Sequence, residues 1–237
     1  MLSGWCSSLE RWDEVARLGA DHRRVLRFDW RGHGGSDPAG GDFGVDEMVE
    51  DAIAVIDASG AAEVVPCAAS HAGWVAIALR RRLRDRVPKL VHADWMLVEP
   101  SEQYMDVIRR LKGPEWPEAR EMLFRIWAAG VGAPEIRRVL DVMAEQDGDM
   151  WQRSGREIEA AYLENGSPLA AFAMLDPPVP VLHVYGQPQD AAYLDAQQTF
   201  AAMHDWFRVR KLDAVTHFSM VERPREVAEA IEEFVAS

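Results

Sequence analysis

The chain has 237 residues, of which 48% are hydrophobic, and a formal net charge of −13. This length fits one domain with a sizeable core, and the negative charge argues against nucleic acid or an anionic membrane as a partner, because phosphate surfaces are bound by clustered positive charge. The two cysteines cannot form a disulfide framework, and neither a secretory leader nor a run of about 18 apolar residues is visible, so we expect a soluble, cytoplasmic protein.

Apolar runs alternate with helical patterns along most of the chain, which predicts a parallel sheet flanked by helices. In chain order, strands are predicted at 24–30, 63–69, 89–96, 179–186 and 207–212. Helices are predicted at 45–60, 73–84, 191–203 and 224–236.

Residues 101 to about 175 break this alternation. They contain several helical stretches rich in Trp, Arg and Glu, with Pro and Gly between them, and no convincing strand. A helical insertion placed over a sheet has this pattern. We therefore predict one domain over residues 1–237, with a helical cap at about 101–175.

The stretch CAASHAGWV, residues 67–75, places Ser70 between small residues where a predicted strand meets a predicted helix. A sharp turn that presents a nucleophile needs small neighbours, because its backbone is strained. A serine that merely caps a helix can stand in the same kind of turn. The turn alone leaves both interpretations open.

Two further motifs give this turn a context. The loop DWRGHGGSD, residues 29–37, resembles the DxRGxGxS loop of α/β-hydrolase-fold proteins, and VTHFSMVERPREVAEAIEEF resembles the histidine loop and last helix of that fold. The resemblance implies an α/β-hydrolase fold with a serine, an acid and a histidine in that chain order. His217 is then the candidate general base.

Two carboxylates are candidates for the acid. Asp94 ends the strand that follows the helix after Ser70, and Asp190 follows the later strand at 179–186. Either could orient His217 and stabilise its imidazolium form. Asp190 could equally be a turn residue, since Gly186 and Pro188 precede it.

A closer resemblance covers essentially the whole chain. The segments SGWCSS, SHAGWV, HADWM, FRIWAAG, MWQRSGREIEAAYLENGSP and VTHFS are similar to the cofactor-free 3-hydroxy-4-oxoquinoline and 3-hydroxy-4-oxoquinaldine 2,4-dioxygenases. Residues 150–168 are the most specific part. That family takes its acid from the position of Asp94, which leaves Asp190 as a secondary candidate.

The resemblance implies ring cleavage without a metal or an organic cofactor, with a small heteroaromatic substrate and O2 as partners. His217, paired with Asp94, would remove the proton of a 3-hydroxyl group. The resulting anion would react with O2, and an endoperoxide would release carbon monoxide and an N-acylanthranilate. Ser70 would hydrogen-bond the substrate rather than form an acyl-enzyme.

Further roles are carried over from the same resemblance. The backbone N–H groups of Trp5 and His71 would form an oxyanion hole, and Trp127 would form a pocket wall. Ser7 stands where the family has a histidine in the entry loop, Ala69 replaces a histidine before the serine, and Ala72 replaces a glycine. These changes affect the pocket lining, so a heteroaromatic with a different 2-substituent is as plausible as the quinaldine.

Two other functions remain open at this stage. A serine hydrolase of esters, thioesters or carbon–carbon bonds could use the same Ser70 and His217 with an acid. A non-catalytic ligand-binding protein would tolerate the changes at Ala69 and Ala72.

The start of the chain is unusual for this fold. Met1 stands almost in the oxyanion loop, whereas the fold usually has two or three strands before it. We expect N-terminal strands to be missing, with exposed core and unpaired backbone groups at that edge.

Overall fold

The computed structural model describes residues 1–237. Its strands are β1 (Cys67–Ala69), β2 (Leu90–Ala93), β3 (Val181–Tyr185) and β4 (Phe207–Lys211). Its helices are α1 (Asp13–Gly19), α2 (Val45–Ser59), α3 (Ala72–Leu83), α4 (Glu102–Leu111), α5 (Trp116–Ala128), α6 (Pro134–Ala144), α7 (Gly148–Asn165), α8 (Pro168–Ala173), α9 (Ala191–Met203), α10 (Ser219–Glu222) and α11 (Pro224–Ala236). Short 3₁₀ turns lie at Leu9–Trp12 and Arg84–Arg86.

The four strands form one parallel sheet in the order β1-β2-β3-β4. Every residue of β1, β2 and β3 is buried, because helices cover both faces of the sheet. Ala69 pairs with Ala93, which pairs with Val184, so these three strands end at the same edge. The fold class is the one that the alternating pattern predicts.

The predicted strand at 24–30 is wrong in this structure. Residues 24–29 are irregular, and none of their N–H groups donates a hydrogen bond within the protein. The segment has the composition of a strand but no neighbouring strand to pair with. The predicted strand at 63–69 is shortened to β1 for the same reason. On its outer edge only Leu2 pairs with it.

A cavity of about 590 Å³ lies beside this unpaired segment, and we call it the edge cavity. Its walls are mostly apolar and include Leu26, Phe28, Ile56, Val64 and Ile231. The first two residues of the chain also line it. The Met1 ammonium donates to the carbonyl of Leu26, and the N–H of Leu2 donates to Cys67.

The five helices α4 to α8 lie between β2 and β3 in the sequence, and we call them the helical cap. They pack over the loops that follow the strands: the Tyr162 hydroxyl donates to the carbonyl of Met96, and the N–H of Leu169 donates to Leu97. The cap therefore covers the edge of the sheet at which the strands end.

Gly73 allows α3 to approach the loop after β2. A Cβ atom at this position would stand 2.2 Å from the ring of Trp95, which is fully buried. The absence of a side chain at Gly73 thus makes the space that the Trp95 ring fills.

Candidate active site

Ser70 follows β1 directly and precedes α3, at the edge of the sheet under the cap. Its φ is +52°, a left-handed conformation that is uncommon for a residue with a side chain. A Cβ atom at Gly4 would lie 3.3 Å from the Cβ of Ser70, so the loop near the N-terminus comes very close to the turn. The turn therefore holds a strained serine against a glycine.

His217 lies in the loop between β4 and α10, and its Nε2 atom is 3.2 Å from the Oγ atom of Ser70. The two residues are 147 positions apart in the sequence. The helical cap also contacts His217: its backbone N–H donates to the carbonyl of Trp127 at 2.8 Å, and the two rings stack with centroids 5.4 Å apart. Both the core and the cap hold the imidazole in place.

Burial lowers the pKa of His217 well below 6.5, and the positive charge of Arg11 lowers it further, with a smaller contribution from His71. The imidazole is therefore neutral at pH 7. A neutral imidazole beside a hydroxyl can accept a proton from a bound molecule.

Asp94 follows β2 and is fully buried, with a φ of +47°. Its carboxylate accepts hydrogen bonds from the N–H groups of Gly186, at 2.9 Å, and Ser219, at 2.7 Å. No hydrogen bond joins it to the ring of His217. Asp94 thus holds the loop that carries His217, two residues beyond the histidine.

The two hydrogen bonds to Asp94 compete with burial in setting its pKa. Burial raises the pKa of this carboxyl to about 6, although the hydrogen bonds from Ser219 and Gly186 and the charge of Arg11 oppose the rise. Asp94 is therefore ionised at neutral pH and becomes protonated in mildly acidic solution.

Asp190 has a different place in the structure. Its exposed side chain caps α9 by accepting from the N–H of Ala192 at 2.9 Å. It does not line the pocket that contains Ser70 and His217.

The backbone N–H groups of Trp5 and His71 donate no hydrogen bond to the protein, and both residues line the pocket with Ser70. The loop of Trp5 is fixed by its next residue, Cys6, which has a φ of +59° and donates its N–H to Nε2 of His33 at 3.0 Å. Two unused donors beside a serine have the arrangement of an oxyanion hole.

The pocket also has polar groups that the sequence did not single out. The hydroxyl of Tyr104, from α4, lies 2.9 Å from Nε2 of His71, and burial lowers the pKa of His71 to about 3, so this ring is neutral. Arg11 is a second addition to the lining. Neither has a sequence signal, because a tyrosine in the first turn of a helix and an arginine next to acidic residues are common on protein surfaces.

The enclosed space under the cap is about 30 Å³, and Trp127, Trp151 and Ile158 form part of its wall. Ser7 is buried but does not line this space. Ligand pockets usually enclose about 300–1,000 Å³. A space of about 30 Å³ is too small for a bicyclic ring, so the pocket in this structure is closed to such a ligand.

No group of three or more His, Cys, Asp or Glu side chains is arranged to hold a metal ion. Likewise, none of the helices has the length and apolar composition needed to cross a membrane.

Known proteins resemble this chain over nearly its whole length. Residues 1–230 match the model of the alpha/beta hydrolase family. The 2-heptyl-3-hydroxy-4-quinolone dioxygenase of Rhodococcus erythropolis is 36% identical over 99% of this chain and 88% of its own length. The 1H-3-hydroxy-4-oxoquinoline 2,4-dioxygenase of Pseudomonas putida is 35% identical over 99% of this chain and 90% of its own length.

Solved structures show the same similarity in three dimensions. A variant of the enzyme AqdC, solved with its substrate in a study of the ring cleavage of the Pseudomonas quinolone signal, superposes with a TM-score of 0.94 at 34% identity. The match covers 100% of this chain and 90% of that one. The chain belongs to the alpha/beta hydrolase family and, within it, to the group of 3-hydroxy-4-quinolone 2,4-dioxygenases.

Proposed function

We propose that the protein cleaves the heterocyclic ring of a 3-hydroxy-4(1H)-quinolone with O2, releasing carbon monoxide and an N-acylanthranilate. The observation that carries the proposal is the neutral imidazole of His217, 3.2 Å from the Ser70 hydroxyl in a pocket under a helical cap. The full-length similarity to quinolone dioxygenases supports the choice of substrate class.

The reaction starts with a proton transfer. His217 accepts the proton of the 3-hydroxyl group, and the ionised Asp94 stabilises the imidazolium that results through the field of its charge. Ser70 donates its hydroxyl hydrogen to a substrate oxygen. The N–H groups of Trp5 and His71 stabilise the negative charge that the substrate acquires.

The electron-rich anion then reacts with O2 at C2. The peroxide closes on C4, the bonds from C3 to C2 and C4 break, and C3 leaves as carbon monoxide. Both atoms of O2 remain in the N-acylanthranilate, so the substrate is oxidised by O2 alone. The protein's part is to form the anion, hold it, and keep water away from it.

Binding requires the cap to move. Because the closed pocket holds about 30 Å³, a bicyclic ring enters only when the cap separates from the core. The polar contacts between cap and core at the pocket are the hydrogen bond from the His217 N–H to the carbonyl of Trp127, the 2.9 Å contact of the Tyr104 hydroxyl with Nε2 of His71, and the 2.7 Å hydrogen bond from Gln187 to the carbonyl of Ile126. The exposed ion pair of Arg138 with Glu10 also joins the two. Contacts of this kind can break without unfolding the cap.

The function is tested by measuring O2 uptake and carbon monoxide release with 3-hydroxy-4(1H)-quinolones that carry hydrogen, methyl or heptyl at C2. We expect stoichiometric uptake and release with at least one of them. If O2 is not consumed while activated esters give a burst of product, the protein is a serine hydrolase instead. That second function is favoured by one observation, the distance from Ser70 to His217, which also suits a nucleophile and its base.

A further inference from the structure

Arg11 is a buried cation that forms no ion pair, although the charge of Asp94 acts on it. Its side chain lies in the turn Leu9–Trp12, the residue is only 5% exposed, and it takes part in none of the ion pairs of the structure. Its hydrogen bond is a weak one, from Nη2 to the sulfur of Met220 at 3.6 Å, and its buried Nε has no partner. Buried guanidinium groups are normally paired, because an unpaired charge is costly to desolvate.

Arg80 shows the usual arrangement in the same protein. It is also 5% exposed, but its guanidinium donates to the carbonyls of Arg84 and Pro177. The unused donors of Arg11 are therefore specific to its position.

That position is the candidate active site. Arg11 lines the pocket together with Ser70 and His217. Its Nη1 atom would lie 3.6 Å from a Cβ atom at Gly4, and the same Cβ atom would lie 3.3 Å from Ser70. The guanidinium also stands 5.3 Å from the ring centre of Phe218, which fixes its orientation by a cation–π contact.

The groups around this guanidinium and His217 leave the positive charge available. The pocket that contains Arg11 and His217 is also lined by Ser70 and His71 from the turn after β1, Tyr104 from α4 and Trp127 from α5. Asp94, at the end of β2, acts on Arg11 through its charge. His71 is neutral, and the Asp94 carboxylate is occupied by the N–H groups of Gly186 and Ser219. Burial lowers the pKa of Arg11 to about 10, so Arg11 is charged at neutral pH.

We propose that Arg11 is the counter-ion of the substrate anion: its free donors bind the oxygen that becomes negative when His217 takes the proton. The ligand class is an enolate- or phenolate-type oxyanion on a planar ring. The same charge opposes protonation of His217 before substrate binds, which keeps the base ready. This inference rests on the function proposed above.

The test compares two neutral variants, Arg11→Met and Arg11→Gln, with the charged variant Arg11→Lys and with a matched control, Arg80→Met, which removes a buried cation outside the pocket. The probe is 2-methyl-3-hydroxy-4(1H)-quinolone. Without O2, its ultraviolet–visible spectrum measures the fraction bound as the anion at each pH. With O2, the same variants give the pH profile of kcat/KM.

We expect both neutral variants to lower kcat/KM by about 10- to 100-fold, because each loses a hydrogen bond from a charged donor to the substrate anion. They should bind less of the probe as the anion. The acid limb of the pH profile should move up by about one pH unit, because the pKa of His217 rises when the positive charge of Arg11 is removed. Arg11→Lys should stay closer to the wild type in all three measurements. Arg80→Met should lower the unfolding temperature and leave the acid limb in place.

If Arg11 had a purely structural role, its charge would not decide how the three Arg11 variants behave. The inference is wrong if the neutral variants keep the wild-type acid limb and anion fraction, or if Arg11→Lys is as impaired as Arg11→Met. These outcomes are distinct from failure of the proposed function, because that failure would show in the wild type as an absence of O2 uptake.

Discussion

The backbone N–H of His217 donates to the carbonyl of Trp127, and the rings of the two residues stack at an interplanar angle of 18°. One residue belongs to a loop of the core and the other to α5 of the cap. In the cap opening proposed above, this hydrogen bond and this stacking contact would be lost together. Closing the cap would then also put the proposed base in place.

Replacing Trp127 tests this link. Trp127→Ala keeps the backbone bond but removes the ring, and an aromatic pair contributes about 0.5–1.5 kcal/mol beyond its buried area. We expect kcat/KM to fall by about 10-fold, whereas Trp127→Phe should stay within about 3-fold of the wild type. Steady-state kinetics of both variants measure this, and equal loss in the two would show that ring stacking is unimportant.

Ser70→Ala separates the two candidate functions. In the dioxygenase, the serine only donates a hydrogen bond, so the variant should lose about 10- to 100-fold in kcat and retain measurable O2 uptake. In a hydrolase the same change removes the nucleophile and nearly all turnover. Residual O2 uptake, measured with an oxygen electrode, decides between them.

His217→Ala should be the more damaging variant. A general base contributes about 10²- to 10⁴-fold, so we expect a loss of that size in kcat with substrate binding preserved. His22→Ala, at an exposed histidine, is the matched control and should behave as the wild type. A His217→Ala enzyme within 10-fold of the wild type would remove this residue from the role of base.

Asp94 predicts a pH dependence of stability with a definite sign. Folding raises the pKa of this carboxyl from 3.8 to about 6, because the buried site favours the protonated form. The free energy of unfolding is therefore highest below about pH 4, where Asp94 is protonated, and it falls as the pH rises through 6. Urea unfolding from pH 4 to 8 should show the wild type losing up to about 3 kcal/mol relative to Asp94→Asn over this range. A constant difference between the two proteins would contradict the raised pKa.

The activity of the same variants tests which acid matters. Asp94→Asn should have low kcat/KM, because it loses the charge that stabilises the imidazolium. Asp190→Asn should keep full activity and stability, because asparagine also caps helices and the residue lies on the surface. Loss of activity in Asp190→Asn would restore this residue as a candidate acid.

The unpaired segment 24–29 should exchange its backbone N–H hydrogens quickly with solvent. Its N–H groups have no acceptors within the protein, unlike those of β2 and β3. Hydrogen–deuterium exchange should therefore be fast at 24–29 and slow in these two strands. Slow exchange at 24–29 would mean that another segment pairs with it.

Much of the fold follows from local pattern. The helices at 191–203 and 224–236 begin and end where the sequence predicts, because their periodicity, the N-cap Asp190 and the first-turn Pro224 are local signals. The strand predicted at 24–30 was wrong because strand formation needs a partner, and the alternation of residues carries no information about whether that partner is present.

The sequence likewise identifies some residues of the candidate site and misses others. The resemblance named Ser70 and His217, and the structure brings them together. It could not indicate that Asp94 bonds to the backbone of Gly186 and Ser219, since these contacts involve N–H groups that every residue has. Arg11 was missed for a related reason: a charged residue near a helix start is typical of a surface, and only the folded chain buries it.

The missing side chain at Gly73 has a consequence for divergence among related proteins. Trp95 fills the vacated space and is the immediate neighbour of Asp94, so any larger residue at position 73 pushes on the segment that carries the carboxylate. A substitution in the helix that follows Ser70 is then felt at the acid, although the two positions are 21 residues apart in the sequence. Laboratory evolution of this enzyme should therefore recover a larger residue at position 73 only together with a smaller one at position 95.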